Sequence, residues 1–280
     1  MTSRTCSKRI VKRMIAYLGV IFFAAVYFIP IYAMIISGFK SDGEMSASIV
    51  ALPQVWSLDN FTMAIERMSL FKSLLNNIII CGGSIALLIV LSAMAAYPLA
   101  KKITKLNRFV YVYYLIGIIV PTIMMLVPLY SLLKSLHLIN NYLGMILVYA
   151  AQATPYAVFM YVGFMAGISS EFEESAIIDG CSVFTAFWRI IFPLLKNATV
   201  TIAVLNLLGS WNDFIYPMVF LQKNDLRTLT VQLYFFRGYY TTSWAPLFAG
   251  MLFVSLPFII IYFVGQKYII SGLTTGALKG

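Results

Sequence analysis

The stretch LLNNIIICGGSIALLIVLSAMAAYPLA, from Leu74 to Ala100, contains no aspartate, glutamate, lysine or arginine. A bilayer core about 30 Å thick is crossed by roughly 20 apolar residues, because an α-helix rises about 1.5 Å per residue. A helix also satisfies its own backbone hydrogen-bonding groups, which lipid does not. The stretch therefore predicts a membrane-spanning helix.

Five further apolar runs of similar length occur in the chain. The six predicted spans are residues 14–37, 74–100, 109–133, 143–168, 198–221 and 245–265, and only the fifth contains a charged residue, Asp213. Of all residues, 61% are hydrophobic and 11% are charged, whereas soluble domains carry about 25% charged residues. This composition excludes a soluble globular enzyme. We expect an all-α integral membrane protein with six transmembrane helices, in which residues 1–280 form a single domain.

Lysine and arginine are divided unequally between the two sides of the predicted bundle. One side carries 13 of the 20 basic residues, beginning with the cluster between Arg4 and Arg13, and the other side carries 7. Cytoplasmic loops are enriched in these residues, so both termini are predicted to be cytoplasmic. The first apolar run is too long for a signal-peptide core. We interpret it as the first helix of a multi-pass inner-membrane protein.

The remaining composition argues against catalysis by this chain. Its net charge of +10 is distributed between apolar runs rather than clustered with aromatics, so no nucleic acid partner is expected. Cys6, Cys81 and Cys181 lie far apart and form neither a metal-ligand spacing nor a disulfide framework. His137 is the only histidine. No phosphate-binding Walker motif is present. We expect no catalytic residues, no metal site and no cofactor in this chain.

The loop between the fourth and fifth spans, residues 169–197, is long and unusually acidic for the predicted cytoplasmic side. It reads SSEFEESAIIDGCSVFTAFWRIIFPLLKN, and we call it the acidic loop. Ser169 or Ser170 is expected to cap a helix whose first turn is acidic. Gly180 is expected to allow a reversal with positive φ, before a second short helix that carries Phe184.

Two interpretations of the acidic loop remain open from these residues alone. A helix lying on lipid headgroups is one, but such helices have a basic polar face, whereas this one is acidic. Docking of the loop into a cleft of a protein partner fits better, because small Ala176 and Gly180 would permit close approach of a helix.

The acidic loop resembles the EAA motif of ABC-importer permeases. Glu174-Ser175-Ala176, then Gly180, then Ile190 and Phe192-Pro193, follows the family pattern, with Ser175 in place of the central alanine and Phe192 in place of leucine. Glu173 and the Asp179-Gly180 pair are similar to the sugar-transporting branch.

Three further stretches strengthen the resemblance to MalG-like carbohydrate permeases: Pro121 to Leu138, Trp211-Asn212-Asp213-Phe214, and the ending Gly272 to Gly280. The resemblance implies a type I ABC importer permease fold. It also implies a second homologous permease subunit, two ATPase subunits that bind ATP and Mg, and an extracytoplasmic solute-binding protein. The residues that it implies for ATPase coupling are Glu173, Glu174, Ser175, Ala176, Asp179, Gly180, Phe184 and Pro193.

The expected function is translocation of a sugar or oligosaccharide, driven by a separate ATPase. Asp213 is costly inside a span, by roughly 2.5–3.5 kcal/mol, so it should face protein or water. The candidate translocation path consists of Asn206, Ser210, Trp211, Asn212 and Asp213 on the fifth span, with Gln152 and Tyr156 on the fourth. Hydrogen bonding between helices is an equal alternative role for these polar residues.

The outer loop before the last span is the candidate contact for the binding protein, because interfaces favour aromatic residues and arginine. The residues concerned are Arg237, Gly238, Tyr239, Tyr240 and Trp244; a position in the aromatic belt at the lipid headgroups is the alternative. The tail Ser271–Gly280 is either a second ATPase contact or frayed. Six prolines are expected to interrupt the spans, as either gating kinks or packing features: Pro98, Pro121, Pro128, Pro155, Pro217 and Pro257.

Two other functions remain as alternatives. One is an ABC permease for another cargo, such as glycerol phosphate or a charged oligosaccharide. Such a cargo calls for basic residues along the path, and none lies inside the predicted spans. The other is an ion-coupled secondary transporter, which would need several ionisable residues within the membrane and an internal repeat. One aspartate is too few for that mechanism.

Overall fold

The computed structural model describes residues 2–102, 104–236 and 244–277, which are all-helical apart from turns and connections. The first half of the chain contains α1 (Thr2–Ser37), α2 (Asp42–Ala47), α3 (Asp59–Arg67), α4 (Leu70–Lys101), α5 (Lys105–Ile119), α6 (Leu126–Ser135) and α7 (Tyr142–Met165). The second half contains α8 (Glu171–Ile178), α9 (Val183–Ala186), α10 (Phe192–Leu194), α11 (Lys196–Asn212), α12 (Ile215–Phe220), α13 (Leu229–Tyr234) and α14 (Trp244–Ala277).

Three continuous helices within these ranges are long and apolar enough to cross a membrane: Arg13–Ser37 of α1, α4 and α7. Two further candidate spans are pairs of helices with a sharp bend between them. Lys105–Ile119 and Thr122–Ser135 meet at 95°, and Val183–Leu194 and Lys196–Asn212 meet at 74°. Trp244–Ile260 of α14 forms a shorter apolar helix. The six-span count therefore stays a prediction, whereas the all-α membrane architecture is confirmed.

The third predicted span, residues 109–133, is not one continuous helix. The break follows Ile119, because Val120 precedes a proline and adopts an extended conformation (φ −69°, ψ 120°). A short 3₁₀ turn, Thr122–Met125, then leads into α6. Likewise, α11 ends at Asn212 and α12 begins only at Ile215, so the fifth predicted span is also divided.

Contrary to expectation, the other five prolines do not interrupt a helix. Pro98, Pro155 and Pro257 lie inside α4, α7 and α14, which continue past them. Pro128 and Pro217 lie in the first turns of α6 and α12, where the missing N–H would have no helical partner in any case. Of the six prolines, only Pro121 accompanies a break.

The chain divides into two compact units. One comprises Met1–Leu70 with Leu233–Ser255, and the other comprises Phe71–Gln232 with Leu256–Gly280. In the first unit, the N-terminal part of α14 packs against α2 and α3. The rings of Phe61 and Phe253 lie 5.9 Å apart, and Asp42 accepts the backbone N–H of Ala245 at 3.1 Å. Very little of the α1 span is buried, only 6% of its most apolar window.

The second unit is built around α7, which approaches its neighbours closely at two glycines. A Cβ atom on Gly83 of α4 would lie 2.7 Å from Ile146, and one on Gly117 of α5 would lie 3.0 Å from Pro155. Small residues at such crossings allow helix backbones to approach in membranes. Gly83 and Gly117 therefore set the separation of α4 and α5 from α7.

Asparagine side chains fix the connection between α12 and α13. Asn76 donates to the carbonyls of Asp225 and Arg227 at 3.0 and 2.9 Å, and accepts the Tyr142 hydroxyl at 2.6 Å. Asn77 accepts the N–H of Leu229 at 2.9 Å. Both asparagines are buried near the start of α4, so these hydrogen bonds hold an irregular segment against a membrane helix.

Candidate functional site

The acidic loop folds as two short helices, α8 and α9, on either side of Gly180. Gly180 has a φ of +86°, which confirms the predicted reversal. A Cβ atom at this position would meet nothing within 4 Å. The need for glycine therefore lies in the backbone conformation and not in the available space.

Ser170 is the N-cap residue of α8, but the side-chain hydrogen bond to the start of the helix comes from Ser169, one position earlier. The Ser169 hydroxyl accepts the N–H of Glu171 at 3.3 Å, while the carbonyl of Ser170 accepts the N–H groups of Glu173 and Glu174. Ser182 caps α9 by accepting the N–H of Thr185 at 3.2 Å. Both α8 and α9 thus follow a serine.

The first turn of α8 is tied to the end of α4. The Tyr97 hydroxyl donates a hydrogen bond to the Glu173 carboxylate. One turn later in α4, the Lys101 ammonium donates to the carbonyl of Ile168 at 3.1 Å. Glu173, a predicted ATPase-coupling residue, is therefore half-buried and bonded to its own chain.

The second part of the acidic loop is inserted into the core formed by α4, α7 and α11. Phe187 and Ile191 are 3% and 0% exposed, and the Phe187 ring lies 5.0 Å from that of Tyr97. These residues form a π-helical turn, Phe187–Ile191, a feature frequent at functional sites. A displacement of the loop would therefore be transmitted directly to the membrane helices.

The outer side of the acidic loop exposes large apolar side chains. Phe172, Ile178, Val183 and Phe184 are 53%, 85%, 50% and 63% exposed. Contiguous exposed apolar groups with polar neighbours are typical of protein interfaces. This surface is the part of the loop that is free to contact a partner.

The remaining predicted coupling residues divide between the two sides of the loop. Glu174, Ser175 and Asp179 are exposed next to the apolar surface, and Pro193 is exposed in α10. Ala176 is only 4% exposed and packs within the chain. Its small size therefore permits close packing inside the chain.

A cavity of about 490 Å³ lies between α7, α11 and the start of α12. Six of the seven predicted path residues line it: Gln152, Tyr156, Asn206, Ser210, Asn212 and Asp213. The other lining residues are Leu88, Thr122, Tyr149, Ala153, Ile202, Leu205, Leu208, Gly209 and Tyr216. Most of the polar groups that line the cavity are hydroxyls and amides. Among the residues that the structure describes, no lysine or arginine lines it.

Asp213 occupies the break between α11 and α12 and is held by three hydrogen bonds. Its carboxylate accepts the Tyr149 hydroxyl at 2.9 Å and the N–H of Ile215 at 3.0 Å. Its carbonyl accepts the Thr230 hydroxyl at 2.7 Å. The Asp213 carboxylate thus faces protein and the cavity, as expected for a charged group within a predicted span.

Two other residues add polar groups to the cavity wall. The amide nitrogen of Gln152 is buried and has no hydrogen-bond partner among the described residues. The Tyr216 hydroxyl donates to the carbonyl of Thr122 at 2.5 Å, at the bend between α5 and α6. An unpartnered buried donor is costly, and a small rotation of the Gln152 side chain would be needed for this nitrogen to reach a ligand in the cavity.

Trp211 does not line this cavity. It is only 3% exposed and follows Ser210 on α11, so its side chain leaves the helix in a different direction. Tyr149 and Tyr216 are the aromatic residues that the path prediction missed. Tyr149 lies three residues before Gln152, on the same face of α7, and this spacing was a signal in the sequence.

Most of the predicted binding-protein contact lies outside the described residues. This applies to Arg237, Gly238, Tyr239 and Tyr240. Trp244 is the first residue of α14 and is 52% exposed. Residues 278–280 of the predicted tail also lie outside the described residues.

Comparisons with known proteins give the same picture of the fold. The family model for the binding-protein-dependent transport system inner membrane component matches residues 88–275, which is more than half of the chain. The crystal structure of a bacterial ABC transporter involved in the import of the acidic polysaccharide alginate is similar, with a TM-score of 0.82 over 94% of this chain and 97% of that chain. Sequence identity to it is 22%, so this similarity concerns the fold alone.

Two curated relatives cover nearly the whole chain. The melibiose/raffinose/stachyose import permease protein MelC of Bacillus subtilis (strain 168) is 36% identical over 279 residues, covering 99% of this chain and 99% of that protein. The probable starch degradation products transport system permease protein AmyC of Thermoanaerobacterium thermosulfurigenes is 30% identical over 268 residues, covering 96% and 97%.

Proposed function

The chain belongs to the family of binding-protein-dependent transport system inner membrane components, and from this premise we propose that it carries an uncharged oligosaccharide across the membrane. Its type I permease fold and its relatives make it a permease subunit of an ABC importer. The two relatives described above are named as permeases for melibiose, raffinose and stachyose and for starch degradation products. The proposal concerns the cargo, the partners and the orientation.

The polar lining of the cavity is the observation that carries the proposed cargo. Gln152, Asn206 and Ser210 supply amide and hydroxyl groups, which exchange hydrogen bonds with sugar hydroxyls. Asp213 supplies an acceptor. Binding of an acidic sugar calls for cationic side chains, and none occurs among the described residues that line the cavity. A neutral sugar is therefore favoured over a uronate or a phosphate ester.

Movement of the cargo requires energy from a separate chain. We assign two ATPase subunits, which hold ATP and Mg, to the cytoplasmic side, where the exposed Phe184 and Ile178 of the acidic loop would dock. Phe187 and Ile191 would then pass the ATPase motion to α4 and α7. A second permease would complete the path, and an extracytoplasmic binding protein would deliver the sugar to the opposite side. Both termini are cytoplasmic in this arrangement.

Uptake in a deletion strain tests this function. The gene is deleted from its host, and uptake of labelled raffinose is compared with that of an alginate oligosaccharide, with and without the restored chain. We expect the chain to restore raffinose-class uptake and not alginate uptake. Restoration of acidic-sugar uptake alone would refute the neutral cargo.

The same cells distinguish the ion-coupled alternative. An uncoupler that collapses the ion gradients while ATP is maintained should leave uptake largely intact, and depletion of ATP at constant gradient should abolish it. The reverse pattern would refute ATP-driven import.

A further inference from the structure

The segment Ser48–Trp56, which follows α2 and which we call the apolar segment, is rich in exposed large side chains. Ile49, Val50, Leu52, Val55 and Trp56 are 50%, 56%, 64%, 71% and 61% exposed. The segment is not helical. A run of this kind is unfavourable in water and points to an apolar surrounding.

Part of the backbone of the apolar segment is satisfied by side chains of its own unit. The Lys40 ammonium, which is 1% exposed, donates to the carbonyls of Ser48 and Ile49 at 2.9 Å each. The Tyr32 hydroxyl donates to the next carbonyl, that of Val50, at 3.3 Å. Three consecutive carbonyls thus have protein donors.

Two backbone N–H groups of the segment have protein acceptors as well. The N–H of Ala51 donates to the Ser48 hydroxyl at 3.2 Å, and that of Gln54 donates to the Glu44 carboxylate at 2.7 Å. Pro53 has no N–H. Non-helical backbone is tolerated at membrane depth only where its polar groups are satisfied by protein or water. These five groups of the segment have protein partners, and a position at the lipid–water interface leaves water available to the others.

The bond from Tyr32 also gives the level of the segment along α1. Tyr32 lies five residues before Ser37, the last residue of α1, which corresponds to about 7.5 Å of helix. Side chains of a helix lean towards its N-terminus, so Val50 lies beside the last turns of the span and not beyond its end. There Phe28 and Ile31 of α1 are themselves 61% and 48% exposed.

We propose that the apolar segment is an interfacial anchor, inserted into the lipid leaflet at the C-terminal end of α1. Leu52 and Val50 lie at the level of the upper acyl chains, and Trp56 lies at the headgroups, a position that tryptophan favours. Lipid is the occupant because the segment continues the apolar surface of α1, a predicted span. The proposal needs only a membrane-embedded α1, and neither the cargo nor an ATPase.

Nitroxide labels test the anchor. Single cysteines replace Leu52 or, as a matched control on the exposed polar side of α2, Ser46, in a chain with Cys6, Cys81 and Cys181 replaced by serine. The full chain is placed in lipid nanodiscs with the subunits that co-purify with it. We expect the ratio of oxygen to nickel-chelate collisions to be about tenfold higher for the L52C label than for the S46C label.

Two results would overturn the proposal. Equal ratios would place the segment in water, and protection of the L52C label from both reagents would place it against a protein partner. In addition, Tyr32→Phe should raise nickel access at L52C several-fold, because a carbonyl loses its donor, whereas Tyr27→Phe, at a position 74% exposed on α1, should not. No change with Tyr32→Phe would contradict the role of the Tyr32 bond.

Discussion

Tyr97 and Glu173 lie 76 positions apart in the sequence, yet the hydroxyl of one donates a hydrogen bond to the carboxylate of the other. This bond joins the last turns of α4 to the first turn of α8. A hydrogen bond to a charged group contributes about 1.5–3 kcal/mol, and the pair is only half-buried, so the lower part of that range applies.

Tyr97→Phe should therefore loosen the acidic loop without detaching it, because the ring contact with Phe187 remains. We expect about a fivefold fall in sugar transported per ATP hydrolysed, with normal co-purification of the ATPase. Tyr113→Phe, at a position 69% exposed on α5, is the matched control. An unchanged transport ratio would show that the bond does not take part in coupling.

Gly180→Trp should leave membrane insertion intact and remove association with the ATPase. Residues other than glycine resist a φ of +86°, and the bulky ring would project from the turn between α8 and α9. Co-purification of the ATPase measures the effect, with Gly163→Trp on α7 as the control, since a Cβ there also meets nothing within 4 Å. Normal ATPase recovery with Gly180→Trp would count against the assignment of the acidic loop.

Asp213→Asn should reduce sugar uptake by about tenfold to a hundredfold, because it removes the charged acceptor of the Tyr149 hydroxyl and of the Ile215 N–H. Tyr149→Phe removes one of these bonds and should have a smaller effect. Initial rates at saturating binding protein, normalised to permease in the membrane, give the comparison. Uptake by Asp213→Asn equal to that of the unaltered chain would exclude a role for the carboxylate charge.

The fold of the apolar segment should depend on pH through Glu44. Backbone N–H groups of Ser41 and Gln54 hold the pKa of Glu44 below its ordinary value of 4.5. The ionised form is thus favoured in the folded state. The stability that the ionised Glu44 side chain adds to the fold is fully present above pH 4.5. This stability is lost as the pH falls through the lowered pKa.

We therefore expect the line shape of the L52C nitroxide to be constant from neutral pH down to 4.5, and to become more mobile only below that value. Glu44→Gln should abolish this acid transition. A transition that begins near neutral pH would have to come from another group.

The helical architecture was predictable because apolar runs without charges have few other stable forms in lipid. The positions at which the predicted membrane helices break were less predictable. Pro121 ends α5, whereas Pro98, Pro155 and Pro257 lie within continuous helices. Each proline removes one backbone hydrogen bond, and the contacts that offset this loss come from other helices, which a local sequence pattern does not contain.

The cavity was largely predictable for a geometric reason. Asn206 and Ser210 are separated by four residues, which places them on one face of α11, and Asp213 follows directly after the end of that helix. Trp211, next to Ser210, points about 100° away from that face, which is why it does not line the cavity; a sugar contact for it stays a prediction. The bond between Tyr97 and Glu173 had no such local signal, because it depends on how two distant helices pack.

The close approaches at Gly83 and Gly117 have a consequence for the transport cycle. Because Ile146 and Pro155 of α7 occupy the spaces left by these two glycines, sliding of α7 along α4 or α5 would produce a clash at each of these levels. We therefore expect α4, α5 and α7 to move as one block. Conformational change is then concentrated at the edges of this block, and a covalent tether between neighbouring helices inside it would cost the importer little of its turnover.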